Sequence, residues 1–191
     1  MAVVNPKVDG GKPFDWGKAS ADYAKYRDIY PEMFYRQILD AGLCVQGQTV
    51  LDLGTGTGVL PRNLYRYGAQ FVGIDLSPEQ IEQARRLAKQ AGMQIDFFAC
   101  PAESVDFPDH TFDVVTACPC FFYFDAKKLL PNLRRMLRPG GRLAILYMAW
   151  LPGEDPIARA SEQLVLRYNP SWSGGGETRH SIELPPETEM Y

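Results

Sequence analysis

What this sequence has little of narrows it before any motif is read. Histidine occurs only twice in 191 residues, at His110 and His180. No grouping of histidine, cysteine and carboxylate residues has metal-ligand spacing, so no metal centre is expected. No apolar run approaches the roughly 18 residues of a membrane span. The stretch from Met1 to Gly11 is neither a cationic nor an apolar leader, so a cytoplasmic protein without a membrane partner is expected. Basic residues are not in excess: 20 Lys and Arg stand against 23 Asp and Glu, a net charge of −3. That balance argues against a broad nucleic-acid face. Four cysteines, Cys44, Cys100, Cys118 and Cys120, are too few and too scattered for a disulfide framework and read as reduced thiols. Repeats and low-complexity tracts are absent too.

What is present is the composition of a globular chain, 46% hydrophobic and 23% charged, long enough for one domain with a buried sheet. Short apolar strands are expected at Thr49–Leu53, Gln70–Asp75, Gln94–Phe98, Phe112–Ala117 and Arg142–Met148. Helical segments stand between them. One runs through Leu60 and Leu64 to about Tyr67. The next starts at Ser77-Pro78-Glu79-Gln80, where Ser77 can cap, Pro78 suits the first helical position and Gln80 can complete a capping box. It ends at Gly92. A third covers about Lys127 to Leu137 and stops at Pro139-Gly140-Gly141, with Pro131 expected to delay or kink its start. Strands alternating with helices imply βαβ units and a doubly wound, Rossmann-like parallel α/β sheet with helices on both faces. Ahead of it, helices are expected at about Lys18–Asp28 and from Pro31 to about Ala41. The chain thus divides into a helical lid over 1–42, a cofactor-binding α/β domain over 43–148, and a substrate-side segment over 149–191.

The run Val50-Leu51-Asp52-Leu53-Gly54-Thr55-Gly56-Thr57-Gly58 lies at the carboxyl end of the first strand, where such sheets bind ligands. Glycines at alternate positions let the backbone turn tightly and approach a ligand closely. A dinucleotide fingerprint needs G-x-G-x-x-G, and Val59 occupies the third glycine position, so a nicotinamide oxidoreductase is disfavoured. A generic turn is the bland alternative. Asp75, closing the second strand, can accept from both ribose hydroxyls; equally, it can favour the dipole of the helix after it.

An acid followed by x-G-x-G-x-G resembles the first motif of class I S-adenosylmethionine-dependent methyltransferases, and the likeness extends over about Val50 to Leu146. It implies S-adenosylmethionine as cofactor, with S-adenosylhomocysteine as product. The implied contacts are Asp52, Gly54, Thr55, Gly56 and Gly58 around the methionine end, and Asp75 and Leu76 on the ribose and adenine. Ala102 and Glu103 fall at the adenine edge, and Cys118 at the fourth-strand end. One departure is Pro101, where the family often has an aspartate that accepts from the adenine amino group. Tyr23-Ala24-Lys25-Tyr26-Arg27-Asp28-Ile29-Tyr30 resembles the lid of small-molecule methyltransferases, with Tyr26 and Arg27 as candidates for the cofactor carboxylate. As an amphipathic covering helix it needs no such role. The aromatic run Phe121-Phe122-Tyr123-Phe124 suits a sulfonium, though core packing explains any single ring.

The resemblance implies methyl transfer by in-line displacement to a small-molecule acceptor, work that consists mainly of alignment and water exclusion. No catalytic residue is assigned; His110 is expected on the surface, and His180 comes after Gly174-Gly175-Gly176. The stretch from Ala149 to Tyr191 shows a helix over Ile157–Tyr168 but no pair of strands, so the last two strands of the full sheet are expected to be missing. A truncated chain, or a second copy completing the sheet edge as a homodimer, is implied by that expectation. A cofactor-binding but inactive module is the alternative, and a nucleic-acid or protein methyltransferase a more distant one, because Ala117-Cys118-Pro119-Cys120 replaces the Asn/Asp-Pro-Pro-aromatic motif of amino-methylating enzymes.

Overall fold

The computed structural model describes residues 15–27, 30–147 and 151–171. They divide into two compact units after Leu146. In the first unit, a 3-10 turn at Trp16–Ala19 leads into α1 (Ser20–Tyr26). Next come α2 (Glu32–Asp40), β1 (Thr49–Leu53), α3 (Val59–Leu64), β2 (Gln70–Asp75) and α4 (Pro78–Gln90). The unit continues with β3 (Asp96–Ala99), β4 (Phe112–Ala117), α5 (Ala126–Met136) and β5 (Leu137–Ile145). In the second unit, α6 spans Pro156–Tyr168, with the Asp155 carboxylate accepting from the Ile157 and Ala158 N–H groups at its start.

The five strands are all parallel, in the order β3-β2-β1-β4-β5. This is the expected doubly wound sheet. The chain leaves β1 toward β2 and β3, then crosses back to β4, so the carboxyl ends of β1 and β4 form the switch point where such sheets open a ligand crevice. Among the described residues no strand comes after β5, and no helix is long and apolar enough to cross a membrane.

The core explains the strand pattern. Val50 of β1, Phe71 of β2 and Val114 of β4 meet Tyr35 and Ile38 of α2 and Leu60 and Leu64 of α3. A second cluster packs Ile81, Ala84 and Ala88 of α4 on Phe97 of β3. Side chains alternate along a strand, so two residues beyond Val50 and Val114 come Asp52 and Thr116, which are register partners across β1 and β4. Apolar packing thereby carries two polar side chains, side by side, to the sheet's carboxyl edge.

Three local expectations are corrected. β5 begins at Leu137, not Arg142, because Pro139-Gly140-Gly141 is not a plain turn. It forms a bulge in which Leu137 pairs with Phe112 and Arg142 with Val114. Gly140 takes φ +79° to close that bulge, a conformation open to glycine. The end of the expected strand, Met148, lies outside the described residues. α5 runs from Ala126 without a break although Pro131 lies inside it and removes one backbone donor. Leu129, Leu133 and Met136 are fully buried along one face, and that burial outweighs the lost bond. At the start of α4, Ser77 caps the Gln80 N–H at 3.3 Å as expected. The reciprocal bond to the Ser77 N–H, however, comes from Asp75 Oδ1 at 2.9 Å and not from Gln80.

Gly58 is held between these layers. It begins α3 at φ +74°, and a Cβ there would lie 2.8 Å from Phe97 Cζ and 3.4 Å from Ala84 Cβ. Gly92 is equally left-handed at φ +67° but has nothing within 4 Å. Gly58→Ala should therefore cost about 2–4 kcal/mol, backbone strain plus overpacking, while Gly92→Ala should cost only about 1 kcal/mol. Denaturant unfolding of the two variants measures the difference, and equal costs would contradict this packing role.

Candidate functional site

The glycine loop leaves β1 at the switch point with Gly54 at φ +58° and Gly56 at φ +57°. Its shape is fixed from β2: the Thr55 N–H donates to the Ile74 carbonyl at 2.8 Å and the Gly56 N–H to Asp75 Oδ2 at 2.9 Å. Asp75 Oδ1 accepts from the Ser77 N–H, so one carboxylate joins the loop to the first turn of α4. Burial raises the Asp75 pKa, and the N–H groups of Ser77, Gly56 and Leu76 work against that rise.

Asp52 sits under the loop, 2% exposed. Thr116 Oγ1 donates to its Oδ1 at 2.6 Å. Burial pushes its carboxyl up to about 7, opposed by the hydrogen bond from Thr116 and reinforced by the charge of Asp75. No cation among the described residues pairs with it.

Asp52, Gly54, Thr55 and Gly56 line one cleft together with Cys118, Val59 and Leu60, and its other wall comes from Tyr23, Arg27 and Tyr30. Cys118 lies just beyond the end of β4, two residues after Thr116. Its thiol is 3.7 Å from the Tyr30 hydroxyl, and burial pushes it up to about 12, so it is a neutral thiol at ordinary pH. Arg27 places its guanidinium 5.3 Å from the Tyr23 ring centroid. The Cys120 thiol donates to the Leu53 carbonyl and lies so close to Gly54 that a Cβ there would meet its Sγ at 2.7 Å.

The structure thus gathers five of the sequence-predicted residues, Asp52, Gly54, Thr55, Gly56 and Cys118, with Arg27 facing them and Asp75 bonded to the loop. Tyr26 is 62% exposed, has Lys25 over its ring, and does not line the cleft. Tyr23 and Tyr30 do. Tyr23 comes from α1, and Tyr30 lies just ahead of α2. Gly58 packs under the loop. Ala102 is buried in a 3-10 turn, while Glu103 Oε1 accepts the Asp125 N–H at 2.8 Å and so ties two loops together. Leu76 is half-buried beside Asp75. His110 lies in a turn at φ +55°, its Nδ1 3.0 Å from the Leu137 carbonyl and outside the cleft. His180 lies outside the described residues.

Comparison with known proteins agrees with this geometry. The methyltransferase domain family matches residues 50–141. A demethylmenaquinone methyltransferase of Thermus thermophilus is 40% identical over 114 residues, which are 58% of this chain and 52% of the relative. A ubiquinone biosynthesis O-methyltransferase of Cereibacter sphaeroides is 32% identical over 133 residues, 69% of this chain and 54% of the relative. The chain spans about half the length of the curated relatives it matches. Among solved structures, a SAM-dependent methyltransferase of Aquifex aeolicus has the same fold, with a TM-score of 0.61 at 23% identity over 81% of this chain and 87% of that one. The chain therefore carries a methyltransferase domain over residues 50–141 and is similar to the class I S-adenosylmethionine-dependent methyltransferases. The matched stretch includes the Asp52–Gly58 loop.

The residues present fit the cofactor of that class. A Cβ on Gly56 would meet nothing nearer than Tyr23 Cε1 at 3.9 Å, so the loop offers an open backbone surface to the cleft. Asp52 is a buried carboxylate without a cationic partner, the complement of an ammonium group.

An acid whose pKa is raised by folding holds its proton more tightly in the folded than in the unfolded chain. Stability therefore falls as pH climbs from the unfolded value, about 4, to the folded one. For Asp52 the window closes at about 7. Asp52→Asn should make the ligand-free chain roughly 2–4 kcal/mol more stable at pH 8 and nearly unchanged at pH 4. Thermal unfolding across that range checks it, and an equal effect at both ends would refute the assignment.

Proposed function

We propose that this chain binds S-adenosylmethionine in the cleft between the glycine loop and the Tyr23–Tyr30 wall and transfers its methyl group to a small-molecule acceptor. The observation that carries this reading is the pair of acids at adjacent strand ends: Asp52 buried beneath the loop, and Asp75 bonded to the loop's central N–H. Asp52 as carboxylate would hold the ammonium group. The remaining lone pairs of Asp75 would accept from the ribose hydroxyls while its existing bonds keep the loop in shape. Bound S-adenosylmethionine supplies a methyl group already activated on a sulfonium, so the chain's own part is alignment and water exclusion.

Aromatic residues after β4 support an acceptor carrying a flat ring. Phe121 is buried, the Phe122 and Tyr123 rings stand 4.3 Å apart, and Phe124 approaches Gly54. The matched relatives from Thermus and Cereibacter are named for demethylmenaquinone and for ubiquinone biosynthesis. Four free thiols suit a reducing compartment, and we place the protein in the cytoplasm on that ground.

Calorimetric titration with S-adenosylmethionine, beside NAD as a control, tests the cofactor, and S-adenosylhomocysteine release with a panel of phenol and quinol acceptors tests turnover. Asp75→Ala should weaken cofactor binding at least tenfold, because it removes a ligand contact and the loop's anchor together. His110→Ala should leave binding within about twofold. Binding of NAD alone would sink the proposal, and cofactor binding without product against every acceptor would favour the inactive-module alternative.

A further inference from the structure

The stretch from Cys120 to Asp125, which joins β4 to α5, is fastened at both ends. At its start the Cys120 thiol donates to the Leu53 carbonyl, immediately before the glycine loop, at 3.1 Å. At its end the Asp125 N–H donates to Glu103 Oε1 at 2.8 Å. Four aromatic residues lie between the two fastenings. Phe121 is buried and meets Phe124 edge-on with ring centroids 6.0 Å apart, and the Phe122 and Tyr123 rings stand at 4.3 Å. A Cβ on Gly54 would lie 3.6 Å from Phe124 Cζ, so the same stretch also borders the glycine loop.

The second fastening comes from an unexpected place. Asp125 is the N-cap of α5. In a capping box a Glu or Gln at the third helical position reaches back to the N-cap N–H. Here that position is Lys128, which pairs instead with the Asp125 carboxylate at 3.1 Å. Glu103 takes the N–H from 22 residues earlier in the chain, in the connection between β3 and β4. A carboxylate at that point also suits the positive end of the helix. Leu129, Leu133 and Met136 seat α5 by full burial, so the bond ties the turn of Glu103 to a well-packed helix.

That turn, Ala102–Ser104, is tied in the other direction to β2. The Cys100 N–H donates to the Asp75 carbonyl at 2.9 Å, and Ala102 and Val105 are buried on either side of Glu103. Glu103 itself does not line the cleft. A path of bonds thus runs from Asp75 through this turn to the start of α5, and a second runs from the glycine loop to Cys120.

We propose that Glu103 is a positioning residue: it carries the setting of the nucleoside side of the site to the aromatic stretch before α5, and is not itself a contact of the nucleoside. This rests on the proposed cofactor reading, in which the glycine loop and the Ala102–Ser104 turn both border the ligand. A ligand held there would steady both fastenings at once, and the aromatic stretch between them would be ordered from its two ends. An acceptor would then meet a finished aromatic wall only after the cofactor is in place.

The test is amide hydrogen exchange of the whole chain, alone and saturated with S-adenosylhomocysteine, in the wild type, Glu103→Ala and Glu103→Gln. Calorimetric titration of the same ligand accompanies it. In the wild type the ligand should slow exchange about tenfold over both 118–121 and 124–128. Glu103→Ala should hold affinity within about threefold and keep the slowing over 118–121 while losing it over 124–128. Glu103→Gln, whose amide oxygen can accept the same N–H, should regain most of that slowing. A helix start merely loosened by the alanine would exchange faster with and without ligand yet show the same ligand-dependent slowing, and that result would overturn the inference. So would an affinity loss of about tenfold or more in Glu103→Ala, which would make Glu103 a ligand contact. Absence of slowing over 124–128 in a wild-type chain that binds the ligand would overturn it too while sparing the cofactor site. Wild-type chain that does not bind S-adenosylhomocysteine would overturn the cofactor reading and the inference together.

Discussion

The Asp75 carboxylate is the joint on which the site depends. Its two oxygens accept from Gly56 and Ser77, so it sets the height of the glycine loop above β1 and the start of α4 at the same time. Without it the loop would keep one bond to β2, from Thr55 to Ile74, and would lose the one that fixes its centre. A loop with left-handed residues at Gly54, Gly56 and Gly58 has a costly conformation to hold, and among the described residues its Thr55 and Thr57 hydroxyls have no hydrogen-bond partner to help hold it. Its rigidity is imported from the next strand.

Beneath this joint lies a second, electrostatic constraint. Apolar packing of Val50 and Val114 brings Asp52 and Thr116 into register at the sheet edge, and the price is a buried acid whose charged form is disfavoured. A fold that sacrifices stability at one carboxylate and surrounds it with neutral thiols has the electrostatics of a cation site. The thiols of Cys118 and Cys120, both raised by burial, stay neutral, so the negative charge beside the loop is that of the carboxylates.

Much of this was legible in the sequence. Apolar runs located β1, β2 and β4 within their observed bounds, because central parallel strands are buried on both faces and admit little else. The acid before the glycines and the acid closing β2 marked the loop's floor and its anchor. The lid wall was legible only in part. Tyr26 and Arg27 are neighbours in sequence, but α1 is short and turns Tyr26 to solvent, and Tyr23 and Tyr30 take the wall. Gln80 matched a capping pattern, yet Asp75 held the same donor from a nearer position. The start of β5 was hidden by Pro139-Gly140-Gly141, which reads as a stop and serves as a bulge.

The position of Asp52 also bears on how a turnover ends. On the proposed reading, Asp52, Asp75 and the loop touch only the ammonium, ribose and backbone-facing parts of the cofactor, and these are identical before and after the methyl leaves. Such contacts hold spent and fresh cofactor alike. Discrimination between the two then falls to the few ångströms around the sulfur, where Phe124 and Cys120 crowd Gly54. A site anchored so far from its reacting atom is prone to end-product retention, and the pace of the cycle would be set by how quickly the exhausted nucleoside is carried away.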